Sequence, residues 1–468
     1  MNRLKIILGE PMTVAVSAPG ERRWGHHQFP HIYKLEDGRL AVNYQIEADS
    51  AITKGLPRPL RVSADGGQTW QSAEPELLDQ SSAETIVLPD GEALKFPRLR
   101  PLDASKLLLP QRSVLYTDTY GRKHACYRLG DLPSDLCAIR LLRRKPGQQT
   151  WTEDSAYLEE PDWVVAVMRW EWDDEGWRDP NLFMPPEIDS RFFWTILPAG
   201  APGAMAGRPE GGILNFTYFH RFNADGALPE RRGVGVLRSD DRGRTWRLWG
   251  VAGYFENATA AARASQPFLN DPRSNYNRLW GGQGQAPIPG FESAGSSGLY
   301  EPGVVSLGDG RLICVLRSDS GGTHQPLFLA RSRDWGRTWT TPEILAPFGV
   351  MPKLVLLDNG VIALVYGRPG VQLLFCDDGR GEVWHTPVNV LPELAEKTPA
   401  TVGMRGMETT DRQVGHDDTC GNCTVLKTGA DRFLIAYSDF RHRTAGGLCK
   451  AIKVREVMVR KLKMSCRR

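Results

Sequence analysis

The 468-residue chain carries 58 Lys+Arg against 55 Asp+Glu, a net charge of +3, so no bulk field directs it to nucleic acid or to an anionic membrane. No apolar run is long enough to span a bilayer and Ile6-Ile7-Leu8 is too short for the core of a signal peptide, so a cytoplasmic protein is expected. Glycine (48), proline (33) and tryptophan (14) are plentiful, which suits turn-dense β structure, and the eight cysteines are scattered as reduced core residues are.

Residues 1–22 read as an opening strand that helps to close a ring. Leu35-Glu36-Asp37-Gly38-Arg39-Leu40 then sets an Asp-Gly turn between apolar runs, the strongest short-range hairpin signal. The same form returns at 307–315 (LGDGRLICV) and, with Asn-Gly, at 357–365 (LDNGVIALV). Among these hairpins an eight-residue spelling repeats: SADGGQTW at Ser63–Trp70, SDDRGRTW at Ser239–Trp246 and SRDWGRTW at Ser332–Trp339. A damaged copy, CDDGRGEVW, runs from Cys376 to Trp384 with Cys for Ser and one residue inserted, and a trace, GQQTW, ends at Trp151.

Each residue type in the repeat has a physical task. The Ser hydroxyl and the Asp carboxylate fold back on backbone N–H groups, Gly takes a backbone angle that other residues resist, Thr starts a strand, and Trp packs over the turn. The motif staples a hairpin, and three intact copies mark a repeat protein. Each unit reads as a strand, an Asp-Gly turn, two more strands, a stapled turn and a final strand, which is a four-stranded antiparallel propeller blade. Asp334 to Asp378 spans one undecorated unit of roughly 40–50 residues. The longer gaps are expected to hold large inserted loops, notably 152–190 and 247–297, because propellers build their sites on such loops. The alternation at 451–464 (AIKVREVMVRKLKM) marks the closing strand.

The stapled turn resembles the Asp box (BNR repeat) of the sialidase superfamily, and the resemblance runs from about Trp24 to Val459. It implies an all-β fold: a six-bladed β-propeller, seven blades being the alternative, of four-stranded antiparallel blades with long inserted loops, in one domain over 1–468. It also implies that the boxes lie on the blade rims, away from the active site. Family sialidases use three arginines for the substrate carboxylate, a Tyr–Glu pair as nucleophile and base, and an Asp as acid/base. Gln28 stands where the first arginine precedes Ile-Pro, Arg317 in CVLRS matches the second, and Arg368 in VYGRPG matches the third. Glu301 in LYEPGVV fits the family glutamate, and Asp49, with Glu47 beside it, fits the aspartate. Asn422 occupies the place of the tyrosine, which removes the family's covalent route.

Histidine is what this chain has instead. His26, His27 and His31 cluster at the start of the first blade. His416 lies beside Asp417 and Asp418 before the last blade, and His442 follows Asp439 and Arg441. In a closed ring the first and last blades are neighbours, so these sets converge on one mouth, where histidine with carboxylate suits acid–base work near neutral pH. Cys420-x-x-Cys423 with His416 has only part of a zinc spacing, and neither a metal nor a cofactor is expected. The resemblance implies an exo-glycosidase acting on a terminal acidic or deoxy sugar of a glycan, with Asp49, Glu301 and His416 as catalytic groups. Gln28, Arg317, Arg368, His27 and His31 would bind the substrate, and efficient sialidase activity is not expected. A glycan lyase with a histidine base beside a uronate, and a non-catalytic glycan-binding propeller, are the alternatives.

Overall fold

The computed structural model describes residues 4–49, 52–73, 85–97, 100–111, 113–117, 123–168, 171–173, 176–178, 181–188, 194–196, 212–229, 232–280, 298–319, 326–368, 370–385, 387–391 and 418–462. The chain is built of antiparallel four-stranded sheets that follow one another in sequence. Gln28–Lys34, Leu40–Gln45, Leu60–Ser63 and Gln71–Ser72 form the Gln28 sheet. Gly298–Gly308, Arg311–Asp319, Leu327–Ser332 and Glu343–Ala346 form the Glu301 sheet. Val350–Leu356, Ile362–Gly367, Val371–Cys376 and Val388–Asn389 form the Met351 sheet.

The closing sheet joins the two ends of the chain. Thr424–Gly429, Arg432–Thr444 and Gly447–Lys461 pair in order. The last of these strands takes both Leu4–Leu8 (Ile6 opposite Val459) and Met12–Val16 (Met12 opposite Val454) along its far edge. The opening segment is therefore two strands, and both are paired to the end of the chain.

Between the Gln28 and Glu301 sheets lies an eight-stranded sheet made of two four-stranded halves. Ile86–Val87, Ala93–Lys95, Ile139–Arg144 and Thr152–Leu158 form one half. Trp194–Ile196, Ile213–Phe219, Gly233–Ser239 and Thr245–Gly253 form the other. A short parallel pairing, Tyr157 with Thr245 and Leu158 with Trp246, welds the halves.

This corrects the expectation of a purely looped insertion across 152–190. The strand Thr152–Leu158 is polar (TEDSAYL) with Ala156 as its one fully buried residue, so its sequence hides its strand character. Val164–Met168 and Leu182–Phe183 belong to an accessory five-stranded sheet with Leu102–Asp103, Val114–Thr117 and Lys123–Arg128. The 247–297 stretch continues the strand Thr245–Gly253 and then forms helices Ala258–Asn270 and Asn275–Trp280, and 281–297 lies outside the described residues. Asn257 caps the first helix by accepting the N–H of Ala260 at 2.9 Å.

Successive sheets pack face to face, so most strands are covered on both sides. Ile362–Gly367 (IALVYG) is buried at every position, and the alternation expected of a half-exposed strand disappears. One core cluster joins Phe216 and Val236, Ile313 and Leu316, and Ile362 and Leu364 from three successive sheets. A second joins Val365 and Phe375 to Phe433, Ile435 and Val457. First strands also meet first strands: Gly298–Gly308 lies against Val350–Leu356, which lies against Thr424–Gly429, which lies against Gln28–Lys34. Ile32 donates its N–H to Thr424 Oγ1 at 2.9 Å across the join. The hydrophobic core thus lies between successive sheets.

The repeated turns have the same hydrogen bonds each time. Ser63 Oγ donates to Asp65 at 2.7 Å and accepts from Gly67 N at 2.8 Å. Asp65 accepts the N–H groups of Gln68 and Thr69 and the Thr69 hydroxyl. Trp70 Nε1 closes the turn on the Gly67 carbonyl at 3.0 Å. Asp241 with Trp246 and Asp334 with Trp339 repeat this set. The damaged copy keeps the staple. Cys376 Sγ takes the serine's place beside Asp378, whose carboxylate accepts four backbone N–H groups from Arg380 to Val383. No helix is long and apolar enough to cross a membrane among the described residues.

Candidate functional site

Three first strands begin with the same device, a residue followed by proline: Phe29-Pro30, Glu301-Pro302 and Met351-Pro352. Each pairing breaks register there, between Gln28 and His31, Tyr300 and Gly303, and Val350 and Lys353. Phe29, Glu301 and Met351 all sit at positive φ (52°, 42° and 47°). Proline cannot donate to the ladder, so the strand bulges and re-aims the preceding side chain. A left-handed non-glycine residue costs on the order of 1–3 kcal/mol and persists where surrounding structure imposes it, often at functional sites.

Glu301 is held from two sheets. Arg317, opposite Tyr300 in the ladder, donates Nη1 to Oε1 at 2.9 Å. Met351 donates its backbone N–H to Oε2 at 2.9 Å. Both side chains of the ion pair are largely shielded, 19% and 14% exposed, so water screens the pair less than it would at the surface.

Arg368, itself at φ 57°, donates Nε to the Cys420 carbonyl at 2.9 Å. Its guanidinium carbon lies 5.5 Å from the centroid of the Trp24 ring, within cation–π reach. Trp24 Nε1 donates to Asp49 Oδ2 at 3.1 Å. The loop bearing Asp49 is clamped from several sides. Gln45 Nε2 donates to the carbonyls of Glu47 and Ala48, and Thr53 Oγ1 also donates to Ala48. A Cβ at Gly25 would come within 2.3 Å of the Glu47 carbonyl, so only glycine fits there.

Arg317, Glu301 and the Met351 amide thus form one linked set, and Arg368, Trp24 and Asp49 form a second. The sequence reading named Arg317, Glu301, Arg368 and Asp49, but not the Met351 amide that holds Glu301 or the Trp24 indole between Arg368 and Asp49. The X-Pro starts of the strands were the signal for Met351.

The other expected residues are placed as follows. Gln28 is fully buried opposite Gln45, and neither amide atom has a hydrogen-bond partner among the described residues. A guanidinium reaches this hairpin from elsewhere: Arg58 donates to Gln45 Oε1 at 3.0 Å and to the Phe29 carbonyl at 3.4 Å. His27 packs on Tyr44 with ring centroids 5.4 Å apart, and burial pulls its imidazole down to about 4. Burial also lowers His26. His31 stacks on Tyr33 inside the Gln28 sheet, past the bulge. His416 and Asp417 lie outside the described residues. Asp439 is committed to Lys453, at 2.8 Å, and to the Arg441 amide, at 2.9 Å. Cys420 and Cys423 are buried, and burial pushes the Cys423 thiol far above its ordinary range. Among the described residues no group of three His, Cys, Asp or Glu is placed to hold a metal ion.

No protein-family model matches the chain, and no curated protein matches it by sequence. Solved structures similar to it include a protein of unknown function from Dyadobacter fermentans, at 17% identity and a TM-score of 0.49 over 98% of this chain and 100% of that one. The α-L-arabinanase of Penicillium chrysogenum, solved with arabinobiose, aligns at 13% identity and TM-score 0.41 over 96% of this chain and 98% of that one. A mutant of the NanB sialidase of Streptococcus pneumoniae aligns at 13% identity and TM-score 0.40 over 96% of this chain and 70% of that one.

Proposed function

We propose that the chain is a single six-bladed propeller of the sialidase type, with the stapled turns as its Asp boxes. It acts as an exo-glycosidase on a terminal acidic or deoxy sugar, and not as an efficient classical sialidase. The count of six takes the halves of the eight-stranded sheet separately and leaves the accessory sheet as an insertion. The observation that carries the reading is Glu301, held at positive φ by a bulge at the start of a first strand and fixed by Arg317 and the Met351 amide. The guanidinium and the amide fix the carboxylate in one orientation, as a catalytic base or charge stabiliser requires. In this reading Asp49, held by Trp24, is the acid/base partner. Arg317 and Arg368 meet the substrate carboxylate, and His416 assists proton transfer.

The lowered His27 supports the lyase as a second reading, because an imidazole that stays neutral near pH 7 is competent to remove a proton. A panel of aryl glycosides of acidic and deoxy sugars, together with uronate oligosaccharides, separates the readings. A hydrolase releases the aryl group, whereas a lyase creates a conjugated product that absorbs in the ultraviolet. A binding propeller does neither. Turnover of a fluorogenic sialoside at around ~10 per second, the rate of an ordinary enzyme, would sink the exclusion of sialidase activity.

A further inference from the structure

Arg232 opens the strand Gly233–Ser239, and its carbonyl accepts the N–H of Leu299 at 3.2 Å, two residues before Glu301. Its guanidinium carbon lies 5.0 Å from the centroid of the Tyr116 ring, which belongs to the accessory sheet. Among the described residues the guanidinium has no hydrogen bond and no carboxylate, and its Nε is buried without a partner. Several shielded arginines of these sheets are paired with carboxylates: Arg143 with Glu92 and Asp154, Arg238 with Asp240, Arg317 with Glu301 and Arg331 with Glu343. Removing a cation from water without a counter-ion is costly, and half-buried Arg232 has neither a carboxylate nor a carbonyl on its guanidinium among the described residues.

Among the described residues, aromatic rings rather than carboxylates surround it. The Tyr116 ring meets the ring of His220 at 5.3 Å and that of His124 at 6.4 Å. Burial first, and then the Arg232 charge, push His220 down to about 4, and the buried Cys126 thiol is pushed up to about 11. Beside the cluster the rings of Tyr218 and Tyr300 meet edge to face at 5.4 Å, with Tyr300 adjacent to Glu301 in the chain.

We infer that Arg232, stacked on Tyr116 with His220 close by, is an anion-binding subsite next to Glu301. It takes the carboxylate or sulfate of the sugar adjoining the one processed, with Tyr218 and Tyr300 flanking that sugar. The inference rests on the proposed action on glycans, but binding is measurable without turnover. Glucuronate, inorganic sulfate and glucose are titrated at constant ionic strength into the wild type, Arg232→Gln, Arg232→Lys and Glu301→Gln, by calorimetry and by thermal shift.

The wild type and Glu301→Gln should bind glucuronate or sulfate but not glucose. Arg232→Gln should lose about tenfold or more in affinity, the usual scale for a lost charge-assisted bond, and Arg232→Lys should retain part of it. Binding of glucuronate alone identifies a carboxylated sugar, and binding of sulfate alone a sulfated one. Equal binding by wild type and Arg232→Gln would overturn the subsite. If both Arg232 variants fail to fold, NMR of the wild type decides. The bound anion should raise the titration of His220, and an unchanged titration overturns the subsite. Turnover that depends on Glu301 without Arg232-dependent binding sinks the subsite alone. Arg232-dependent binding with no turnover of any glycan sinks the glycosidase reading alone.

Discussion

The ammonium of Lys450 donates to the backbone carbonyl of Arg23, one residue before the Trp24 that holds Asp49. Lys450 is fully buried, with Nζ 5.0 Å from the centroid of Phe440. Burial drives it down to about 7, partly offset by Glu21 and the Cys420 thiol and reinforced by Arg23. Because the folded value lies below the unfolded one, the unfolded chain binds more protons between about pH 7 and 10.5. Stability from this group therefore rises with pH across that window, and its penalty is complete below about pH 7. Urea unfolding of wild type and Lys450→Met should show a stability difference that shifts toward the wild type by a few kcal/mol, on the order of the shift's free energy, between neutral and alkaline pH. A difference that stays flat with pH would show that the lysine is not held near neutrality.

Glu301→Gln keeps the volume of the side chain and a hydrogen-bond acceptor for Met351 N, so the fold should survive. Activity on the true substrate should fall by roughly a hundredfold or more, the scale of a lost acid–base group. Arg317→Lys should raise KM more than it lowers kcat, because lysine cannot offer the bidentate fork. Activity retained in Glu301→Gln would remove it from the site.

The fourth turn tests what the staple needs. Asp378→Ala leaves four backbone N–H groups without their acceptor and should cost roughly 1–3 kcal/mol in chemical denaturation. Cys376→Ser restores the residue of the three intact copies and should change stability by less than about 1 kcal/mol. A loss above about 2 kcal/mol there would mean that this buried site is shaped for sulfur.

Deleting residues 451–468 removes the partners of Leu4–Leu8 and Met12–Val16. The closing sheet then loses its last strand and exposes the edge of Arg432–Thr444. Calorimetry should show loss of the single cooperative transition. A sharp transition near the wild-type temperature would mean that closure contributes little.

What the sequence by itself determined is what short stretches of chain can carry. The stapled turns complete their hydrogen bonds within eight residues, Ser63 to Trp70 being one, so composition and spacing reveal them. The same holds for the Asp-Gly hairpins and for the alternating strand at the end of the chain. Glu301 and Arg317 were legible as a pair because one hairpin folds the second back beside the first.

The rest depends on contacts between sheets. Arg368 meets Trp24 and Cys420, and Asp49 meets Trp24, only once the last sheet has returned to the first. The half-sheet containing Thr152–Leu158 was concealed because its exposed, polar strand is recruited by the pairing of Leu158 with Trp246. Whether an arginine is paired is also a tertiary matter. Arg143 and Arg232 are one residue type, and packing alone gave the first two carboxylates and the second a ring of tyrosine and histidine.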